Sequence, residues 1–178
     1  MPLVADDWRD LIAAARRKLD IAKFHLGRLE AELNVPGLTG ADLPPIPIQA
    51  HFEGVLIALM AAVDQVAAAT NSALSLRLTK YDLVAGAFKE LGDRLPDVHS
   101  WFGQVINKDL RRIRVRAVHY TYIKNPSLAR WRVESADTSY CGSRELHEYA
   151  TAGVEYGKQF AHLLSQIESN LAAAQASS

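Results

Sequence analysis

Residues 8–33 read WRDLIAAARRKLDIAKFHLGRLEAEL, and the spacing of their apolar side chains decides the fold class. These side chains recur every three or four positions, which places them on one side of an α-helix; they are Trp8, Leu11, Ile12, Ala15, Leu19, Ala22, Leu26, Leu29 and Leu33. Asp6 and Asp7 supply capping and favourable charge at the start of the helix, and the sequence NVPG at 34–37 ends it. The stretch therefore predicts one long amphipathic helix.

Four further segments repeat this period and predict a helical bundle. The second helix begins near Pro47 and runs to about Asn71, with a buried side made of Phe52, Val55, Leu56, Leu59, Val63, Val66 and Thr70. A shorter helix covers residues 80–95. The next begins at Pro96 and Asp97 and continues to about Ile123. The last follows Ser143 as its cap and starts at Arg144. We expect an all-α fold, a four- to five-helix up-and-down bundle.

The connections between these helices fit a single domain that spans residues 1–178. The loop at 34–47 holds four of the seven prolines, which fix φ and remove amide donors. Residues 125–142 form an irregular loop, with a short extended piece at 131–134 where the side chains alternate. No internal repeat is visible.

Composition predicts a cytoplasmic protein with no membrane span. The chain has 178 residues, 49% of them hydrophobic, enough for one domain with a real core. The longest apolar run, at 54–63, is about half of the roughly 20 residues that cross a bilayer. The first residues lack the basic and apolar regions of a secretory signal. Cys141 is the sole cysteine, which suits a reducing compartment.

Positive charge is concentrated in one part of a neutral chain. Residues 108–132 contain eight Lys or Arg and one acid, Asp109, so this basic stretch carries +7 and the remaining residues carry −7. Its centre, residues 111–122, reads RRIRVRAVHYTY. Such a local excess favours an anion, or the acidic face of a partner, as ligand.

Helical geometry places two arginines of the basic stretch in line with its histidine. Arg112, Arg116 and His119 are four and three positions apart, so they form one stripe along a helix. Arg114 lies about 140° around the helix from His119 at 100° per residue. A long arginine side chain can still reach a pocket shared with the histidine.

The spacings Arg114-x4-His119 and Arg112-x6-His119, on a late helix of a predicted bundle, resemble the R-x4–6-H signature of HEPN domains. The surrounding LRRIRVRAVHY sequence is similar to the usual context of that signature. The resemblance implies a bundle that pairs as a homodimer through the signature helix. It also implies either a metal-independent endoribonuclease of a toxin–antitoxin or defence system, or a non-catalytic RNA-binding or interaction module. Active members usually carry Asn, Asp or His directly after the signature arginine, whereas Val115 and Ile113 stand here.

Under the resemblance, the catalytic residues are His119, Arg114 and Arg112. His119 would exchange a proton with the 2′-hydroxyl or the leaving oxygen of RNA, and the arginines would hold the scissile phosphate. One histidine cannot easily do both, so two copies across a twofold axis would complete the site. The rest of the substrate would be bound by Arg116, Lys124, Arg130 and Arg132 through phosphates and by Tyr120 or Tyr122 through base stacking.

The same residues also fit a non-catalytic alternative. The arginines point in several directions around a helix, so some would pair with carboxylates such as Glu53, Asp64 or Glu145. The protein would then be a helical interaction module with a charge-paired basic helix, for instance an accessory or antitoxin-binding protein.

Neither a cofactor nor a metal site is expected from the sequence. His51, His119 and His147 lie on different predicted helices, but no His-x3-His or Glu-x2-His pair accompanies them. The remaining histidines, His25, His99 and His162, are interpreted as isolated surface or hydrogen-bonded residues. No glycine-rich phosphate loop is present in the sequence.

Overall fold

The computed structural model describes residues 7–34, 46–110, 122–124, 132–134 and 144–177, and its dominant elements are helices. An all-α bundle, as the apolar spacing predicts, is confirmed at this level. In chain order the helical elements are α1 (Trp8–Leu33), α2 (Ile46–Ala73), α3 (Leu83–Arg94), α4 (Pro96–Trp101), a π-helix (Phe102–Leu110) and α5 (Leu146–Ala176).

Helix α1 follows its apolar spacing closely. Seven of the predicted apolar positions are buried, namely Trp8, Ile12, Ala15, Leu19, Ala22, Leu26 and Leu29, and the flanking Leu11 and Leu33 are partly buried. Asp7 caps the helix, since its carboxylate accepts a hydrogen bond from the Arg9 amide at 2.9 Å. At the other end the Asn34 side chain donates to the Glu30 carbonyl at 2.8 Å, which satisfies a carbonyl of the last turn.

Helix α2 is the core of the bundle and contacts α1, α3 and α5. All seven side chains predicted for its buried side are buried. Alanines at 58, 62, 67 and 69 are buried as well, so α2 is enclosed on much of its circumference. Small side chains let neighbouring helices approach closely, which explains how three helices pack around one.

By length and composition α2 could also cross a membrane. It is the one helix among the described residues that is long and apolar enough to do so. In this structure 61% of its most apolar 18-residue segment is buried against the rest of the protein. A helix buried in a protein core has the same apolar composition, so burial explains the composition of α2.

Contacts near the helix ends fix the directions of α1, α2 and α5. Arg16, early in α1, forms a salt bridge with Glu168, late in α5, so these helices are antiparallel. The Gln175 side chain, at the end of α5, donates to the carbonyl of Ala73, at the end of α2, so α2 and α5 run the same way. Helix α1 is thus antiparallel to both of its neighbours, as an up-and-down bundle requires.

Aromatic stacking attaches α4 and the π-helix to this bundle. Phe102 stacks on Phe88 of α3 with ring centroids 4.2 Å apart, and Trp101 stacks on Phe160 of α5 at 4.6 Å. Pro96 opens α4 as predicted, at a position where a missing amide donor costs nothing. The π-helix then continues α4 towards the basic stretch.

Three short strands correct the sequence-based boundaries. They are β1 (Tyr122–Lys124), β2 (Arg132–Glu134) and β3 (Arg144–Glu145), which form an antiparallel sheet in the order β1-β2-β3. A helix extending to Ile123 is therefore wrong at Tyr122 and Ile123, and the last helix starts at Leu146 rather than Arg144. The extended piece within 131–134 is confirmed at β2. The errors arise because strand pairing depends on distant residues, which a local helical period does not register.

Replacing Ala62 by leucine tests the close packing of α2. Ala62 has no exposed surface, so three extra carbon atoms must displace neighbouring helices, and overpacking of this kind costs about 1–3 kcal/mol. We expect urea denaturation to show a loss of unfolding free energy in this range. Ala50→Leu, at an exposed position of the same helix, should change stability by less than about 0.5 kcal/mol. Equal effects of the two substitutions would contradict a buried α2.

Candidate functional site

Most of the site predicted from sequence lies outside the described residues. This holds for His119, Arg112, Arg114, Arg116, Tyr120 and Arg130. Of the other predicted ligand-binding residues, Tyr122 and Lys124 belong to β1 and Arg132 belongs to β2. These three are therefore carried by strands and not by a continuation of the helix.

The sheet brings two of these cationic residues to paired positions. Lys124 of β1 is the register partner of Arg132 in β2. Arg132 is also the register partner of Glu145 in β3, an acidic residue named for the charge-paired alternative. The backbone register thus places one basic and one acidic residue on either side of the same arginine.

The π-helix leads directly into the basic stretch. It spans nine residues and ends at Leu110, immediately before Arg111. π-helical segments are rare, usually a single turn, and occur frequently at functional sites. Val105 and Ile106 within it are buried, which anchors the segment to the bundle. An unusual backbone conformation therefore precedes the residues on which the functional prediction depends.

A groove of mixed polarity runs between α4, the π-helix and α5. It consists of two adjoining clefts of about 620 and 290 Å³ that share Asp97 and His162. Half of its lining residues carry amide or hydroxyl side chains: Ser100, Gln104, Gln159, Ser165, Gln166, Ser169 and Asn170. Apolar side chains such as Trp101 and Leu163 line it as well, so it suits a ligand with both apolar and hydrogen-bonding groups.

Two residues that line the groove carry buried polar atoms with no hydrogen-bond partner among the described residues. They are the indole nitrogen of Trp101, a donor, and the amide oxygen of Asn170, an acceptor. Buried polar atoms are usually hydrogen-bonded, because burial without a partner costs about 1–3 kcal/mol.

A second cluster joins α1 and α2 and was not predicted. The Nδ1 atoms of His25 and His51 are 3.0 Å apart, and Nε2 of His51 lies 3.5 Å from Oε1 of Glu32. His25 is therefore not isolated, although it is hydrogen-bonded, as one of the two sequence-based interpretations allowed. Phe24 meets the edges of both imidazoles, with ring centroids 5.5 Å from His25 and 6.5 Å from His51.

One hydrogen bond joins the two imidazoles of this cluster. It links Nδ1 of His25 to Nδ1 of His51, with one ring as donor and the other as acceptor, while Nε2 of His51 lies within ion-pair distance of Glu32. Burial, followed by the charge of His51, lowers the pKa of His25 below its ordinary value. His25 is thus held neutral beside a histidine that already has a carboxylate partner.

Sequence position alone does not pair the two histidines. In an antiparallel helical hairpin, residues at similar distances from the connection face each other. His25 lies nine residues before Asn34, whereas His51 lies five residues after the start of α2. The contact therefore depends on how α1 packs on α2, which the sequence does not give.

Comparisons with known proteins assign no function to the site. No match was found to any family model, curated protein or solved structure. Assignment to a family therefore rests on the basic stretch and the bundle together, and is part of the proposal below.

The lowered pKa of His25 predicts a stability that falls in mild acid. The unfolded chain takes up this proton near pH 6.5, whereas folded His25 does so only at lower pH. The unfolded state therefore binds more protons below about pH 6.5, and the free energy of unfolding decreases as the pH falls through the folded pKa. In buffer with EDTA, urea denaturation at about pH 7 and about pH 5 should show a smaller loss for His25→Gln than for wild type.

The control for this measurement is His99→Gln, which removes an exposed histidine of α4. This variant should keep the wild-type loss of stability. A His25→Gln protein with an undiminished loss would show that His25 is not the group responsible.

Proposed function

We propose that this protein is a HEPN-like, homodimeric RNA-binding protein that cleaves RNA without a metal ion. The observation that carries the proposal is the segregation of charge, +7 within residues 108–132 against −7 elsewhere. A polyanion is the ligand that gains most from such a segment, because each neutralised phosphate releases counterions. The all-helical bundle supports the proposal, since a HEPN domain has this fold class.

The residues assigned to RNA binding divide into two groups. Arg112 and Arg114 belong to the R-x4–6-H signature and would hold the scissile phosphate, with bidentate hydrogen bonds that stabilise its transition-state charge. Arg116, together with Lys124 and Arg132 at paired positions in β1 and β2, would contact neighbouring phosphates. Arg130 would extend this contact, and Tyr120 or Tyr122 would stack on unpaired bases.

The proposed reaction uses the 2′-hydroxyl of the RNA as the nucleophile. One His119 removes the 2′-proton, and the His119 of a second copy donates a proton to the departing 5′-oxygen. The products are a 2′,3′-cyclic phosphate and a free 5′-hydroxyl. The imidazole is suited to both steps because its pKa lies near neutral pH. A protein of this kind acts in the cytoplasm and pairs with an antitoxin or accessory protein.

A specific observation favours the non-catalytic alternative as a second candidate. Arg132 is the register partner of Glu145, so at least one arginine of the basic stretch has a carboxylate at a neighbouring position. If the other arginines are paired in the same way, the segment stabilises the bundle and presents a surface to a protein partner. Such a protein would bind RNA weakly and leave it intact.

A triple substitution, Arg112→Ala with Arg114→Ala and Arg116→Ala, tests the basic stretch as an RNA site. We expect fluorescence anisotropy with single-stranded RNA to show weaker binding, with a salt slope of log K reduced by about 2, at roughly 0.7 per lost phosphate contact. The matched control removes the exposed cations Arg17, Lys89 and Lys158 from α1, α3 and α5. If both triple variants lost the same RNA affinity, overall charge alone would explain the loss, and this would contradict the proposal.

A cleavage assay with wild type and His119→Ala distinguishes the nuclease from the interaction module. With EDTA present, wild type should convert RNA to cyclic-phosphate ends, while His119→Ala should bind RNA as wild type does and cleave none. Binding without cleavage by wild type favours the non-catalytic alternative. Absence of both overturns the RNA assignment.

A further inference from the structure

The histidine pair is a candidate metal site because its geometry matches that of two ligands to one ion. His25 and His51 come from different helices, yet their Nδ1 atoms face each other at 3.0 Å. A transition-metal ion about 2.05 Å from both nitrogens would subtend an angle of about 94° between them. The two nitrogens are therefore close enough to bind one ion together.

Glu32 occupies the position of an outer partner to the proposed ligand. Its Oε1 lies 3.5 Å from Nε2 of His51, the ring nitrogen that faces away from the shared centre. Histidines that bind metals usually donate their other N–H to a carboxylate, which fixes the tautomer and makes the ligating nitrogen more basic. The hydrogen bond between the two Nδ1 atoms contains one proton, which must leave for both nitrogens to bind one ion.

Gly54 on α2 makes room for the imidazole of His25. A Cβ at this position would lie 2.7 Å from Nδ1 and 2.7 Å from Cε1 of His25, closer than real side chains pack. Any larger residue would therefore displace the ring from its partner. Phe24 packs edge-on against both rings and limits their rotation. The helices thus hold the two imidazoles together on both sides.

Water has access to complete the coordination. The side chain of His51 is 21% exposed and that of Glu32 is 31% exposed. Among the described residues no group of three or more His, Cys, Asp or Glu side chains could hold a metal ion. The protein therefore supplies two ligands from its described part, and water molecules fill the remaining positions.

We propose that His25 and His51 bind one divalent ion of the imidazole-preferring class through their Nδ1 atoms, with Glu32 as outer partner. Imidazole nitrogen suits Ni²⁺, Cu²⁺ and Zn²⁺ alike. The bound ion joins α1 to α2 and stabilises the hairpin by binding only the folded state. This site involves neither the basic stretch nor the proposed ribonuclease chemistry.

Isothermal titration calorimetry of the full chain tests the proposal. The protein is treated with chelator, dialysed free of it, and titrated with NiCl₂ and separately with ZnCl₂ at neutral pH. We expect one Ni²⁺ or one Zn²⁺ per chain, and a higher thermal unfolding temperature with the ion present. Glu32→Gln should weaken Ni²⁺ binding by about tenfold, the typical effect of losing an outer partner. His25→Gln and His51→Gln should weaken it at least as much.

The double variant His99→Gln with His162→Gln is the matched control, because it removes two exposed histidines from other helices. It should bind Ni²⁺ as wild type does.

Gly54→Ala keeps both imidazoles but crowds His25, so it should also weaken binding. Circular dichroism checks that each variant is folded. If a histidine variant does not fold, Glu32→Gln and Gly54→Ala decide the question. Wild-type affinity in these variants, or no Ni²⁺ binding by wild type, would overturn the proposal.

Discussion

The packing of α1 against α2 is the contact on which the rest of the described structure depends. One apolar stripe of α1 lies on a helix that is apolar on most sides and rich in alanine. Burying large side chains such as Ile12, Leu29 and Leu59 stabilises the fold by about 1.5–3 kcal/mol each. Helix α5 then packs along both, fixed in direction by Arg16 with Glu168 and by Gln175 with Ala73. The same α1–α2 register places His25 beside His51.

The described part of the chain separates two kinds of chemistry. The histidine cluster belongs to α1 and α2, whereas the groove belongs to α4, the π-helix and α5. The groove borders the π-helix that continues into the basic stretch, so it is the described surface most directly connected with the proposed RNA site. Its amide and hydroxyl side chains complement a cationic segment, because hydrogen-bond donors and acceptors can contact sugars and bases while arginines contact phosphates.

The sequence was sufficient to predict elements whose signal is local. Helix α1 has an unbroken apolar period and a capping residue, Asp7, so its position followed from the residues themselves. The strands at 122–124 and 144–145 could not be predicted, since each depends on pairing with residues elsewhere in the chain. The contact between His25 and His51 required the register of two helices. Predicting the groove would have required the packing of three elements. The Trp101 nitrogen, which lacks a hydrogen-bond partner among the described residues, has no sequence signature. Of the predicted site, the structure describes Tyr122, Lys124 and Arg132, and it places them in strands.

Hydrogen exchange measured by mass spectrometry tests the central claim, that α2 is the buried core of a helical bundle, most directly. The full chain would be studied in buffer without detergent. The account predicts that peptides from α2 exchange most slowly among the described helices, at a rate set by global unfolding. Rapid exchange throughout 46–73 in a folded protein, or a chain that stays in solution only with detergent, would contradict it.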